Sequence, residues 1–171
     1  MPSDRDLMPE SPFALLADDE VRAWYAYQKL QLRLRYEMNR QLRADSDISL
    51  ADYDVLVALT SEPDGTMNVS ALATRIGWER SRVSHHVRRM ATRDLVSIGA
   101  SADDKRVSQV ALTPAGLDTL RESSRGHVAL VRRMFFDGLE GGQLADLAGT
   151  LEQIYDRVIE HGTLPRPEDH P

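Results

Sequence analysis

The chain contains no cysteine. Disulfides, thiol redox sensing, cysteine nucleophiles and thiolate metal sites are therefore excluded, and the composition fits a reducing compartment. There is no run of about 18 apolar residues, so no bilayer-spanning helix is expected and the membrane is not a partner. The opening residues, MPSDRDLMPESPFALLADDE, are acidic and carry Pro and Ser where a secretory signal has a basic start and an apolar stretch. A cytoplasmic protein is expected. Also missing are G-x-S-x-G, H-E-x-x-H, Gly-rich phosphate loops and paired carboxylates beside a His, the patterns that would mark an enzyme. No catalytic residue and no cofactor is expected. His127, His161 and His170 are scattered, and the adjacent His85 and His86 would point about 100° apart on a helix. With no His pair at i, i+4 spacing, no metal site is expected.

Positive charge is in deficit as well, with a formal net charge of −6. Averaged over the chain, this argues weakly against nucleic acid, because DNA binding draws on the neutralisation of phosphates. The distribution reverses the argument. Between Thr66 and Leu112 stand Arg75, Arg80, Arg82, Arg88, Arg89, Arg93, Lys105 and Arg106 against Glu79, Asp94, Asp103 and Asp104. This segment is net positive and the remainder is strongly negative, a charge asymmetry that points to a localised anion-binding surface.

The 171 residues, 42% hydrophobic and 28% charged, suit one globular domain. Residues 1–17 and 162–171 are rich in Pro and charge and read as flexible tails. From Asp18 to about Arg43, Tyr27, Leu30, Leu34 and Met38 recur at helical spacing, and a second helix follows from about Leu50 to Ser61. Asn68 can cap a short helix that Gly77 closes. A further helix carries Val83, Val87 and Met90 as its apolar stripe. Leu95 to Thr113 reads as a β-hairpin around Ala102-Asp103-Asp104-Lys105. Thr113-Pro114 then restarts helix, with Leu117, Leu120, Val128, Val131 and Phe135 on its buried side. Leu144, Leu147, Leu151, Ile154, Tyr155 and Val158 mark the last helix.

The short helix pair around Gly77 has the form of a helix-turn-helix unit, whose second helix lies in the DNA major groove. An ordinary pair of packed core helices is the bland alternative. Against it stands the hairpin that follows at once with Lys105 and Arg106 near its tip, as in a wing that reaches the minor groove or backbone. The polar set on the second helix is also suited to reading bases. Arg82 can bond guanine or phosphate, Ser81 and Ser84 can donate or accept, and His85 can do either.

On the stretch LATRIGWERSRVSHHVRRMATRDLV and the wing DDKRVSQVALTPAG, with long helices at both ends, the chain resembles the MarR family of winged helix-turn-helix regulators over roughly residues 20–160. Asp104 and Arg106 followed by Leu112-Thr113-Pro114-Ala115-Gly116 is similar to that family's D-x-R…L-T-x-x-G pattern. The resemblance implies a mainly α fold with a small β-hairpin wing: one domain at 18–161, with dimerisation helices at 18–49 and 114–161 and a winged helix-turn-helix lobe at 50–113. It implies that Arg106 enters the minor groove while Asp104 holds the wing. Ser81, Arg82, Ser84 and His85 would face bases, and Arg88 and Arg89 would lie nearer phosphates. Glu79 departs from the family's usual Ser, Thr or Asp cap. His86 stands where an aliphatic residue is common, so both a core position and a DNA-facing one are open.

One recognition helix reads few base pairs, so a homodimer on an inverted-repeat operator in double-stranded DNA is expected. The apolar stripes of the first and last helices exceed what a small lobe can cover. The resemblance further implies a small aromatic or phenolic effector, in a cleft that Trp24, Tyr25, Tyr27 and Tyr53 could line, although aromatics at helical spacing are more often core. The function expected is a sequence-specific transcriptional regulator, most often a repressor in this family. The rival is a winged-helix architectural or protein-interaction module without strong sequence preference.

Overall fold

The computed structural model describes residues 11–101 and 106–167. A 3-10 turn at Pro12–Leu15, capped by Ser11, precedes α1 (Asp18–Ser46). There follow α2 (Leu50–Thr60), β1 (Thr66–Asn68), α3 (Val69–Ile76), α4 (Arg80–Ala91), β2 (Val96–Ala100), β3 (Ser108–Leu112) and α5 (Pro114–Val131). A π-helical turn at Arg132–Phe136 leads to α6 (Gly141–His161). The result is a mainly helical chain with a small antiparallel sheet, the winged-helix architecture expected from the sequence.

Local chemistry sets the helix starts. Ser49 and Asp52 form a capping box at α2: the Asp52 amide donates to Ser49 Oγ at 3.0 Å and the Ser49 amide donates to Asp52 Oδ2 at 2.8 Å. Asn68 Oδ1 accepts from the Ala71 amide at 2.8 Å and starts α3. Thr113 caps α5, accepting from the Gly116 amide at 2.9 Å, with Pro114 at the first helical position.

The strand order is β1-β3-β2, with Met67 and Ile98 both opposite the buried Val110. The sequence predicts only the β2–β3 hairpin. The extra strand, Thr-Met-Asn, is too short to show alternation and exists because β3 offers it a partner edge.

Contacts divide the chain within α1 into residues 1–37 and 38–171. In the first unit Phe13 meets Tyr25 edge-on at 6.4 Å, and the rings of Trp24 and Tyr27 lie 5.4 Å apart. In the second unit the core is formed by Leu42 and Ile48, by Val55, Leu56 and Leu59 of α2, Leu72 of α3, Val83, Val87 and Met90 of α4, and Val96 and Val110 of the sheet.

The buried side of α5 differs from the expected one. Leu120, Ser123, His127 and Leu130 are buried, whereas Val128 is 51% exposed. Polar residues occupy the inner face because they find partners there. The His127 ring lies 4.4 Å from Tyr53, and its Nδ1 is 3.3 Å from Gln41 Oε1. No residue of α6 is buried, and Leu144, Leu151, Ile154, Tyr155 and Val158 are exposed along it. Among the described residues, no helix is long and apolar enough to cross a membrane.

Candidate nucleic-acid interface

The turn between α3 and α4 rests on Gly77, which takes the left-handed conformation at φ +67° that lets α3 end there. The Trp78 amide donates to Ala73 O at 2.9 Å, and Trp78 folds into the core. From this turn α4 sets Val83, His86, Val87 and Met90 inward. Arg80, Ser81, Arg82, His85, Arg88 and Arg89 are left exposed, and Ser84 is half-buried with its hydroxyl donating to Arg80 O at 2.9 Å. All six residues expected to meet DNA from this helix thus belong to one element, five of them fully on its outer face. Glu79 makes no side-chain capping bond, as its departure from the usual cap residues suggested.

His86 belongs to the interior, which resolves the ambiguity left by the sequence. It is 6% exposed. Its Nε2 lies 2.9 Å from Asp52 Oδ1, its Nδ1 lies 2.9 Å from Arg89 Nη2, and its ring meets Trp78 edge-on at 5.3 Å. Arg93, a member of the basic block, is also drawn inward: it donates to Asp52 Oδ2 at 3.0 Å and to Asp47 O at 2.5 Å. Burial alone would raise the Asp52 carboxyl, but the His86 imidazole beside it and hydrogen bonds from the Ser49 backbone and side chain hold it well below the usual carboxylate range. Arg82 stacks its guanidinium on the Trp78 ring at 3.8 Å.

Beside this face is a groove of about 530 Å³, lined among others by Arg43, Ser49, Trp78, Arg82, His85 and Arg89. Arg43 and Trp78 were not singled out from the sequence. Nothing in their local pattern separates them from ordinary surface and core residues, and only the folded chain brings them to α4. Such a surface, with cationic forks for phosphates and guanine edges and with Ser and His for other base edges, has the chemistry of a major-groove reader.

On the wing, the Ser101 amide donates to Val107 O at 2.8 Å and joins the strand ends. Arg106 is exposed just before β3. Asp104 and Lys105, expected to support and extend the wing, lie outside the described residues. Of the aromatic residues expected at an effector cleft, Trp24, Tyr25 and Tyr27 are about half exposed and belong to the first unit. Tyr53 belongs to the second, with its hydroxyl 3.4 Å from Ser124 Oγ.

A family profile described as MarR family matches residues 46–107. A search of curated proteins returned no match. Among solved structures, AbsC, a MarR family transcriptional regulator from Streptomyces coelicolor, is similar at 32% identity with a TM-score of 0.80, covering 85% of this chain and 98% of AbsC. Sco3205, a MarR family transcriptional regulator from the same organism solved in complex with DNA, is similar at 29% identity with a TM-score of 0.82, covering 88% of this chain and 95% of its own. An organohalide-sensing regulator in its 2,4-dichlorophenol-bound form shares the fold at 18% identity, with a TM-score of 0.77 and coverage of 98% and 100%. With its helix-turn-helix, its wing and a relative this similar over nearly its whole length, the chain belongs to the MarR family of winged-helix, DNA-binding transcriptional regulators.

Proposed function

We propose that the protein is a cytoplasmic repressor that binds an inverted-repeat operator in double-stranded DNA as a homodimer and is released from it by a small aromatic or phenolic effector. The observation that carries this reading is the outer face of α4, where Ser81, Arg82, His85, Arg88 and Arg89 stand exposed beside a β-hairpin with Arg106 just before β3. Ser81, Arg82, Ser84 and His85 read base edges in the major groove. Arg88 and Arg89 take phosphates, and Arg106 enters the adjoining minor groove, with Lys105 and Asp104 completing the wing.

Dimerisation is supported by α6, which has no fully buried residue and exposes Leu144, Leu151, Ile154, Tyr155 and Val158 at helical spacing. An apolar stripe of this length normally lies against a partner. A second copy would supply the second recognition helix, for a half-site spacing of about 34–36 Å. The effector class follows the family resemblance and the dichlorophenol bound by a regulator of the same fold.

The test is a titration of the purified protein against its own upstream DNA and a random duplex at two salt concentrations, with sedimentation to establish the oligomeric state. A preference of about 10³ or more for the upstream fragment, weakening as salt rises, is expected of an operator-specific regulator. Equal binding to both duplexes would favour an architectural module instead. Arg82→Ala should relax base preference; a uniform loss across sequences would make Arg82 a phosphate contact.

A further inference from the structure

We propose that Asp52 and His86, both buried, are positioning residues for DNA binding: together they form a relay that holds Arg89 in place on the outer face of α4. The proposal rests on the reading that this face meets DNA. It stands on the order of donors and acceptors between α2 and α4.

Arginine has only donors. The 2.9 Å contact between Arg89 Nη2 and His86 Nδ1 therefore requires that Nδ1 accept, which places the proton of a neutral ring on Nε2. That nitrogen is 2.9 Å from Asp52 Oδ1, an ion-pair distance at which the carboxylate's charge favours a proton on Nε2 although the two groups do not meet hydrogen-bond geometry. The other carboxylate oxygen, Oδ2, receives the Ser49 amide at 2.8 Å and Arg93 Nη1 at 3.0 Å. The pattern these contacts favour is a charged Asp52, a proton on His86 Nε2 and not on Nδ1, and Arg89 donating. Asp52 thus selects the tautomer that can accept from Arg89, as an outer carboxylate orients a functional imidazole elsewhere. An arginine on a free surface must be ordered when its ligand arrives. Arg89, tethered at one nitrogen, is ordered beforehand, and preorganisation of this kind raises affinity.

A purely structural role, tying α2 to α4, would leave Arg89 indifferent to the tautomer. Asp52→Asn separates the two roles. Asn still supplies one oxygen, and the two donors on the Oδ2 side, Ser49 N and Arg93 Nη1, claim it. The amide NH₂ then faces His86 Nε2, which must accept, so the proton moves to Nδ1 and Arg89 is expelled.

The full-length protein and its Asp52→Asn, Arg89→Ala and double variants are compared by ring ¹⁵N NMR without DNA and by titration with upstream DNA over a range of salt, with melting temperatures as a check on folding. The wild type should show the Nε2–H tautomer and Asp52→Asn the Nδ1–H tautomer. Asp52→Asn and Arg89→Ala should each weaken operator binding about tenfold, equivalent to about 1.4 kcal/mol. Each should also reduce the salt slope by about 1. The double variant should be no weaker than Arg89→Ala alone. An unchanged tautomer, unchanged binding by a folded Asp52→Asn, or losses that multiply in the double variant would each overturn the relay. Should Asp52→Asn unfold the chain, His86→Leu, which accepts nothing from Arg89, carries the same binding expectation and the same refutation. Failure of the wild type to bind its upstream DNA would instead sink the operator reading, and with it any role of the relay in DNA binding.

Discussion

Replacing Gly116 by Ala tests the account of how the wing joins the long helix that follows it. Gly116 lies in the first turn of α5, and a Cβ there would stand 2.0 Å from Leu95 O, a full ångström inside the 3.0 Å that real Cβ atoms respect. The obstacle is backbone, so no rotamer change relieves it. The same Leu95 O accepts from the Thr113 amide at 3.4 Å, and Thr113 Oγ1 donates to Asp94 O at 2.5 Å while capping Gly116. Forcing the two segments apart strains packing by about 1–3 kcal/mol and weakens a cap worth about 1 kcal/mol. The better helix propensity of Ala returns up to about 1 kcal/mol. A net loss of about 2 kcal/mol lowers Tm by roughly 4–8 °C in a chain of this length. Urea and thermal unfolding at matched protein concentration measure it. Gly142→Ala is the control, since nothing lies within 4 Å of its Cβ, and it should gain about 0.4–1 kcal/mol. A Gly116→Ala protein as stable as wild type would refute the close approach and the turn geometry built on it.

Burial lowers the His127 imidazole from the ordinary 6.5, so as pH falls the unfolded chain takes up this proton first. Its contribution to stability is complete above about pH 6.5 and is lost as pH falls from there toward the folded value. Tm should decline over that interval and decline less in His127→Gln; superimposable curves would refute the burial effect. Arg75 is mostly buried, with Nη2 3.4 Å from Glu62 Oε1, while Nε and Nη1 have no hydrogen-bond partner among the described residues. Replacing both partners together, Arg75→Met with Glu62→Met, should therefore be within about 1 kcal/mol of wild type or more stable, and a loss above about 2 kcal/mol would show that the guanidinium is well satisfied. Arg106→Ala should cost about 1–3 kcal/mol of operator affinity with little change in Tm; unchanged affinity would remove Arg106 from the minor groove.

What was legible in the sequence was local. Asn68, Gly77 and Thr113-Pro114 announce helix boundaries because capping and left-handed turns are decided within four residues, and the structure places those boundaries at the same positions. The exposed face of α4 was legible for the same reason, since Val83, Val87 and Met90 fix the inward side and leave the arginines to the other. β1 was not legible, because three residues become a strand only when β3 lies beside them. The inner face of α5 was misread because hydrophobicity stood in for burial. Ser123 and His127 lie inside, with Gln41 and Tyr53 against His127, and no property of α5 alone reveals those partners.

The same limit separates the charges of the basic block into different roles. By spacing alone, Arg82, Arg88, Arg89 and Arg93 are equivalent cations on or just after one helix. In the folded chain Arg93 is committed to Asp52 and Asp47, Arg89 is held by His86, and Arg82 rests on Trp78. Asp52 belongs to the capping box with Ser49, which accounts for one of its oxygens but not for the other. That second oxygen lies 2.9 Å from His86 Nε2, and through this contact a capping residue in one helix becomes able to set the donor arrangement on the outer side of another. A net charge therefore locates a nucleic-acid surface without saying which cations are available to it. Availability depends on what each cation already donates to, and for this protein those acceptors lie on other elements of the fold.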